Sequence, residues 1–271
     1  MDALPHLVDV AWLRERLHEP GLVVVDASIA LFGIPDESVP GARPFAIDGA
    51  MSADRGGVHD LPAPAELQEA LRAIGLREGD RVVAVDAAGI TGAARAWWML
   101  RHAGVEAAVL DGGTPAWVAA GLPLDPMRVE AYEPGDVVVR WRDGGFVGAD
   151  AVARGLDGEV AVLDARAAGR FRGEVPEPRP GVRGGHMPGA ASLPFASLQD
   201  GGRMRPADEL RARLDDAAGD RPIVACCGSG VTACVIALAA TLAGREAVAV
   251  YDGSWAEWGA EGSGRPVVTG A

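Results

Sequence analysis

The sequence predicts an α/β protein built from two tandem copies of one fold, each a mainly parallel sheet flanked by helices. Three observations carry this. First, the chain repeats itself: "RVVAVDAAGITGAARAWWMLRHAG" (81–104) resembles "RPIVACCGSGVTACVIALAATLAG" (221–244), and "VLDGGTPAW" (109–117) resembles "VYDGSWAEW" (250–258). Three markers keep one spacing: Cys227 follows Asp86 by 227 − 86 = 141 positions, as Asp252 follows Asp111 and Trp258 follows Trp117. Second, short β-branched runs alternate with helical stretches in both copies. Third, 271 residues suit two domains of roughly 100–150 each.

In chain order, "VVVDAS" (23–28) is the first buried strand and "VPGA" (39–42) a turn. The amphipathic "APAELQEALRAIGL" (63–76) is a helix, "RVVAVD" (81–86) a strand, "ARAWWMLRHAG" (94–104) a helix and "EAAVLDGG" (106–113) a strand. Apolar strands followed by helices require a parallel sheet covered on both faces. Ligands of such sheets sit outside the strands' carboxyl ends. The polar, Pro-containing "PLDPMRVEAYEPGD" reads as a connection. The expected division is a first domain over 1–124, a linker over 125–137 and a second domain over 138–271. There "AVLDAR" (161–166) and "MPGA" (187–190) repeat "VVVDAS" and "VPGA", with "RFRGEVPEPRPGVRGG" (170–185) inserted between them.

Composition narrows the partners. Hydrophobic residues are 49% and charged residues 23%, with a formal net charge of −13. That balance argues against nucleic acid or an anionic membrane surface, although a local arginine cluster can still bind an anion. The start, "MDALPHLVDVAWL", has no basic segment followed by an apolar one, so no secretory signal is expected. No apolar run reaches the roughly 18–20 residues of a membrane span. Three cysteines within nine positions cannot form a disulfide framework, which points to a reducing cytoplasm.

Those cysteines carry the chemistry. "RPIVAC" reads as a strand and "TACVIALAATLAG" as a helix. Between them Cys227, Gly228, Ser229, Gly230, Val231 and Thr232 form a tight loop at a strand's carboxyl end. Two glycines let successive N–H groups converge into an anion nest, and the helix adds its positive end. A cysteine at the mouth of that cradle is favoured as its reactive thiolate. Cys226 ends the strand one residue too early, and Cys234 lies one turn into an apolar helix; both read as small buried hydrophobes. A dinucleotide fingerprint fits Gly228, Gly230 and Ala233, but it falls too near the end of the chain to open a full nucleotide-binding unit. A phosphatase loop needs arginine six residues after the cysteine, where Ala233 stands. Sulfur transfer fits: the thiolate takes a sulfane sulfur, and loop N–H groups hold the persulfide anion.

Taken together, "CGSGVTA", "YDGSWAEW", the "GHMPGA" turn (185–190) and "LDGGTPAW" resemble the tandem-domain sulfurtransferases of the rhodanese superfamily, over about residues 6 to 268. The resemblance implies two rhodanese-like domains, with the first silent because Asp86 stands at the Cys227 position. It implies no metal and no organic cofactor. The loop resembles that of 3-mercaptopyruvate sulfurtransferases, with Ser229 where thiosulfate-using relatives carry a basic residue. It therefore implies Cys227 as nucleophile and Gly228, Gly230, Val231 and Thr232 as its cradle. Asp48 and His59, in "FAIDGAMSADRGGVHDLP" (45–62), would form a proton relay with Ser229, with Asp54 as fallback carboxylate. Arg170 and Arg179 would bind the α-keto carboxylate, for which a guanidinium fork is suited. Arg172 and Arg183 are expected to be solvated, Asp164 and His186 to order turns, and Trp97, Trp98, Trp117, Trp255 and Trp258 to pack. The implied acceptors are cyanide, a small thiol or a thioredoxin-like protein. Two alternatives stay open: a thiosulfate:cyanide sulfurtransferase, and a non-catalytic persulfide carrier or binding module.

Overall fold

Consecutive β-branched residues form the strands of two separate parallel sheets, buried on both faces. The structure, a computed structural model, describes residues 3–53, 58–128, 131–156 and 158–270. It divides into two units: 1–53, 61–143 and 201–204 make the first, and 54–60, 144–200 and 205–271 the second.

In the first unit the chain runs β1 (Leu7–Val8), α1 (Val10–Arg16), β2 (Leu22–Asp26), β3 (Glu37–Ser38), β4 (Arg43–Pro44), α2 (Pro64–Ala73), β5 (Arg81–Val85), α3 (Thr91–His102), β6 (Glu106–Leu110), α4 (Gly113–Ala119) and β7 (Asp125–Pro126). Local chemistry starts the helices. Asp9 accepts the N–H of Trp12 at 2.7 Å, and Glu66 reaches back to the N–H of Ala63 with Pro64 at the first helical position. The sheet order is β1-β6-β5-β2-β4, every pair parallel. All five residues of β2 are buried, and Leu22 and Val24 join Val83, Leu110 and Trp117 in one apolar core.

The second unit runs β8 (Phe146–Val147), α5 (Ala149–Gly155), β9 (Ala161–Asp164), α6 (Ala168–Phe171), β10 (Ala191–Ser192) and β11 (Gln199–Asp200). After β12 (Arg203–Met204), which belongs to the first unit, come α7 (Ala207–Ala218), β13 (Ile223–Cys226), α8 (Ala233–Leu242), β14 (Val248–Tyr251) and α9 (Ser254–Trp258). Its sheet order is β10-β9-β13-β14-β8, again all parallel. Read from the other edge, this is the order of the first sheet, so the sequence repeat is a repeat of topology. Among the described residues no helix is long and apolar enough to cross a membrane.

Two features differ from a single cut near residue 124. The segment expected as a linker is bonded into the first unit. β7 pairs antiparallel with β3, and the N–H groups of Gly135 and Val137 reach the carbonyls of Arg72 and Leu76 at 2.8 and 3.2 Å. Further on, Arg140 and Arg142 bond to Ala103 and His102. The units also exchange short segments. His59, expected with the first copy, packs in the second unit, and Met204 donates its N–H to Asp111 of the first at 2.9 Å.

Candidate active site

β13 delivers the cysteines to the carboxyl end of the second sheet. Strand alternation separates Cys226 from Cys227. Cys226 is sealed in the core with Val224, Tyr251, Trp255 and Trp258, where burial pushes its thiol pKa well up and keeps it protonated. Cys227 is 2% exposed and opens the loop. α9 anchors that loop. The N–H of Cys227 donates to Ser254 Oγ at 3.1 Å, while the carbonyls of Cys227 and Gly228 accept from Trp255 and Ala256, both at 2.9 Å. Ser254 takes a left-handed conformation (φ 49°) and donates its hydroxyl to the Tyr251 carbonyl. Gly230 (φ 79°) makes the turn toward Val231, Thr232 and α8, and Cys234 donates its thiol to the Gly230 carbonyl at 3.4 Å.

Several expected residues converge here. Ser229 Oγ lies 2.9 Å from His59 Nδ1, with both residues buried. His59 is held at φ 67°, a conformation that non-glycine residues seldom adopt away from functional constraint. Arg170 and Arg179 flank the residue after Cys227: a methyl group placed on Gly228 would lie 3.2 Å from Arg170 Nη2 and 3.7 Å from Arg179 Nη1. Arg179 also borders a cavity of about 760 Å³ with Asp60, Asp252, Gly253 and Glu257. Asp48 lies in the first unit, where the Ala30 N–H donates to its carboxylate at 2.7 Å. Asp54 falls outside the described residues.

The structure adds two residues that patterning did not single out. Arg166, almost fully buried, donates to both oxygens of Asp164, to the Gly185 carbonyl at 2.8 Å and to Glu177 at 2.7 Å. Glu177 also accepts from Nε and Nη2 of Arg170. The "PEPR" spacing of "RFRGEVPEPR" was the available signal: a carboxylate two residues before Arg179, one of the two arginines expected to bind an anion. His186 stacks on Phe171 and bonds its carbonyl through Nδ1 at 2.9 Å. Arg172 pairs with Glu174 at the surface. Arg183 is not solvated as expected: it donates to the carbonyls of Gly259, Trp258 and Arg265 and to Ser263, tying the insertion to the C-terminal segment. The five tryptophans named above are all buried.

The first unit has the same loop with a different occupant. Asp86, at the Cys227 position, turns its carboxylate inward and accepts from the N–H groups of Ala88 (2.6 Å), Gly92 and Ala93 (3.3 Å) and from the Thr91 hydroxyl (2.8 Å). Four donors meeting on one anion is a cradle in working order. Adding 141 to each number gives Ser229, Ala233, Cys234 and Thr232 as the matching positions around Cys227.

This fold and loop define the class. The chain belongs to the rhodanese family: the Rhodanese-like domain matches residues 9–120 and again 148–261. It is 36% identical over 266 residues to the 3-mercaptopyruvate sulfurtransferase of Escherichia coli (strain K12), covering 93% of this chain and 94% of that one. It is 34% identical over 297 residues to the mitochondrial thiosulfate/3-mercaptopyruvate sulfurtransferase 1 of Arabidopsis thaliana, covering 93% and 75%. The crystal structure of SseA from Escherichia coli, a protein of the 3-mercaptopyruvate group, superposes with a TM-score of 0.82 at 32% identity, over 93% of this chain and 99% of that one. The protein is a sulfurtransferase.

Proposed function

We propose that the donor is 3-mercaptopyruvate and that Cys227 carries its sulfur as a persulfide. The observation that carries this reading is the His59–Ser229 hydrogen bond one residue past Gly228, where proton-handling groups stand in place of a basic residue. In the first half-reaction the Cys227 thiolate attacks the donor sulfur, forming an S–S bond and breaking the S–C3 bond. The electron pair leaves on C3 as pyruvate enolate. The thiol proton must travel from sulfur to C3, and the hydrogen-bonded pair of Ser229 and His59 offers the path. The net change is thiolate plus mercaptopyruvate to persulfide anion plus pyruvate. Arg170 and Arg179 hold the donor carboxylate, and the loop N–H groups hold the outer sulfur. In the second half-reaction a thiol, cyanide or a thioredoxin-like protein takes that sulfur and Cys227 leaves as thiolate, giving double-displacement kinetics. We assign this chemistry to a reducing compartment such as the cytoplasm.

The testing experiment compares pyruvate release from mercaptopyruvate with sulfite release from thiosulfate, and follows intact mass after donor alone. Mercaptopyruvate should have the higher kcat/KM, and one sulfur should be gained by wild type and Cys226→Ser but not by Cys227→Ser. A higher kcat/KM for thiosulfate overturns the donor assignment.

Ser229→Ala gives a sharper check on the relay. Mercaptopyruvate turnover should fall by roughly 10- to 100-fold. Thiosulfate turnover should change little, because no proton moves when sulfite leaves. Equal losses with the two donors would remove Ser229 from proton transfer.

A further inference from the structure

Glu177 is nearly buried, with its side chain 4% exposed, yet it holds two guanidiniums. Its Oε1 accepts from Arg166 Nη1 at 2.7 Å and Arg170 Nε at 3.2 Å, and its Oε2 accepts from Arg170 Nη2. Arg166 is already fixed by Asp164, and its guanidinium lies 4.4 Å from the Trp255 ring, whose backbone N–H bonds Cys227. Two arginines therefore meet two carboxylates, and the cluster is neutral. Glu177 takes the Nε–Nη2 edge of Arg170, while Nη2 and Nη1 are the atoms nearest Gly228. Arg179 differs: among the described residues it forms no ion pair. The loop thus faces one compensated and one uncompensated guanidinium, and Asp60, Asp252 and Glu257 share the cavity beside the latter.

We propose that Glu177 determines donor specificity: by cancelling the charge of Arg170 it leaves the Cys227 loop matched to a monoanionic carboxylate and mismatched to dianionic thiosulfate. Arg170 keeps its hydrogen-bond donors for a planar carboxylate but adds no net charge. A second negative charge on the donor meets no second uncompensated cation, and the cavity's carboxylates oppose it. Glu177 touches no donor atom in this account; it acts through Arg170. The inference rests on the mercaptopyruvate reading, but the two fail separately. The wild-type ratio of donors tests that reading, and the change in ratio on substitution tests this one.

The experiment measures kcat/KM for both donors in wild type, Glu177→Gln and Glu177→Asp, at low and high salt. Glutamine keeps the shape and one acceptor but removes the charge, so the thiosulfate-to-mercaptopyruvate ratio should rise by on the order of tenfold, mainly through the KM of thiosulfate. The gain should shrink as salt screens the site. Aspartate keeps the charge, so its ratio should stay near wild type even if both rates fall. A ratio unchanged in Glu177→Gln, or shifted as far in Glu177→Asp, overturns the proposal. Should Glu177→Gln fail to fold, competitive inhibition of the wild type decides: sulfate should bind no tighter than pyruvate, and a tighter sulfate overturns the proposal.

Discussion

Cys227→Ser is expected to lower kcat with either donor by at least roughly 10⁴-fold, because in the proposed mechanism the nucleophile and the covalent carrier are the same atom. A serine hydroxyl is not ionised near neutrality, and it cannot form the S–S bond that stores the transferred sulfur. The loss should come without unfolding. Cys227 is 2% exposed, oxygen is smaller than sulfur, and the bonds that set the loop are made by its backbone to Ser254 and Trp255. Cys226→Ser reverses the pattern. It buries a hydroxyl among Val224, Tyr251 and Trp255, so it should cost stability of about 1–3 kcal/mol while sulfur uptake at Cys227 persists. The two variants, compared by denaturant titration and by pyruvate release, separate chemistry from packing. Retained turnover in Cys227→Ser would move the nucleophile elsewhere.

What the sequence made legible follows from the range over which each feature is encoded. The repeat, the parallel sheets and the loop at the end of β13 are local patterns read twice at one spacing, so each copy checks the other. Cys227 stands out because two glycines, a strand end and a helix start lie within a few residues of it. The Arg166–Glu177–Arg170 cluster was hidden for the opposite reason. Glu177, in a Pro- and Gly-rich insertion, looks solvated until the fold sets it on Arg166, which Asp164 at the end of β9 already holds. Arg183 was misread on the same ground, since its partners lie 75 and more positions away. The exchange of 54–60 and 201–204 between units was also illegible, as no composition change marks it. His59 came from family resemblance and not from spacing: a lone histidine in a polar loop carries no local signal.

Asp86→Ala is expected to destabilise the first unit by about 2–4 kcal/mol, since it leaves the buried N–H groups of Gly92 and Ala93, the half-buried N–H of Ala88 and the Thr91 hydroxyl without their common acceptor. The carboxylate sits there against a cost: burial pushes its pKa up, and the four hydrogen bonds oppose that shift. The first copy has therefore kept the anion cradle and filled it with its own side chain. In the second unit the matching positions are Ser229, Thr232, Ala233 and Cys234, around Cys227, where the proposed persulfide anion would take the carboxylate's place for part of each cycle. The two copies then differ in when the anion is present, permanently in one and transiently in the other. Denaturation of the Asp86→Ala variant with and without formate tests this. Formate should restore part of the lost stability, by mass action on a site open only in the variant, and should do little for wild type. A variant as stable as wild type, or one that formate stabilises no more than it does wild type, would mean that these donors do not form an anion site, and the parallel with the Cys227 persulfide would fall with it.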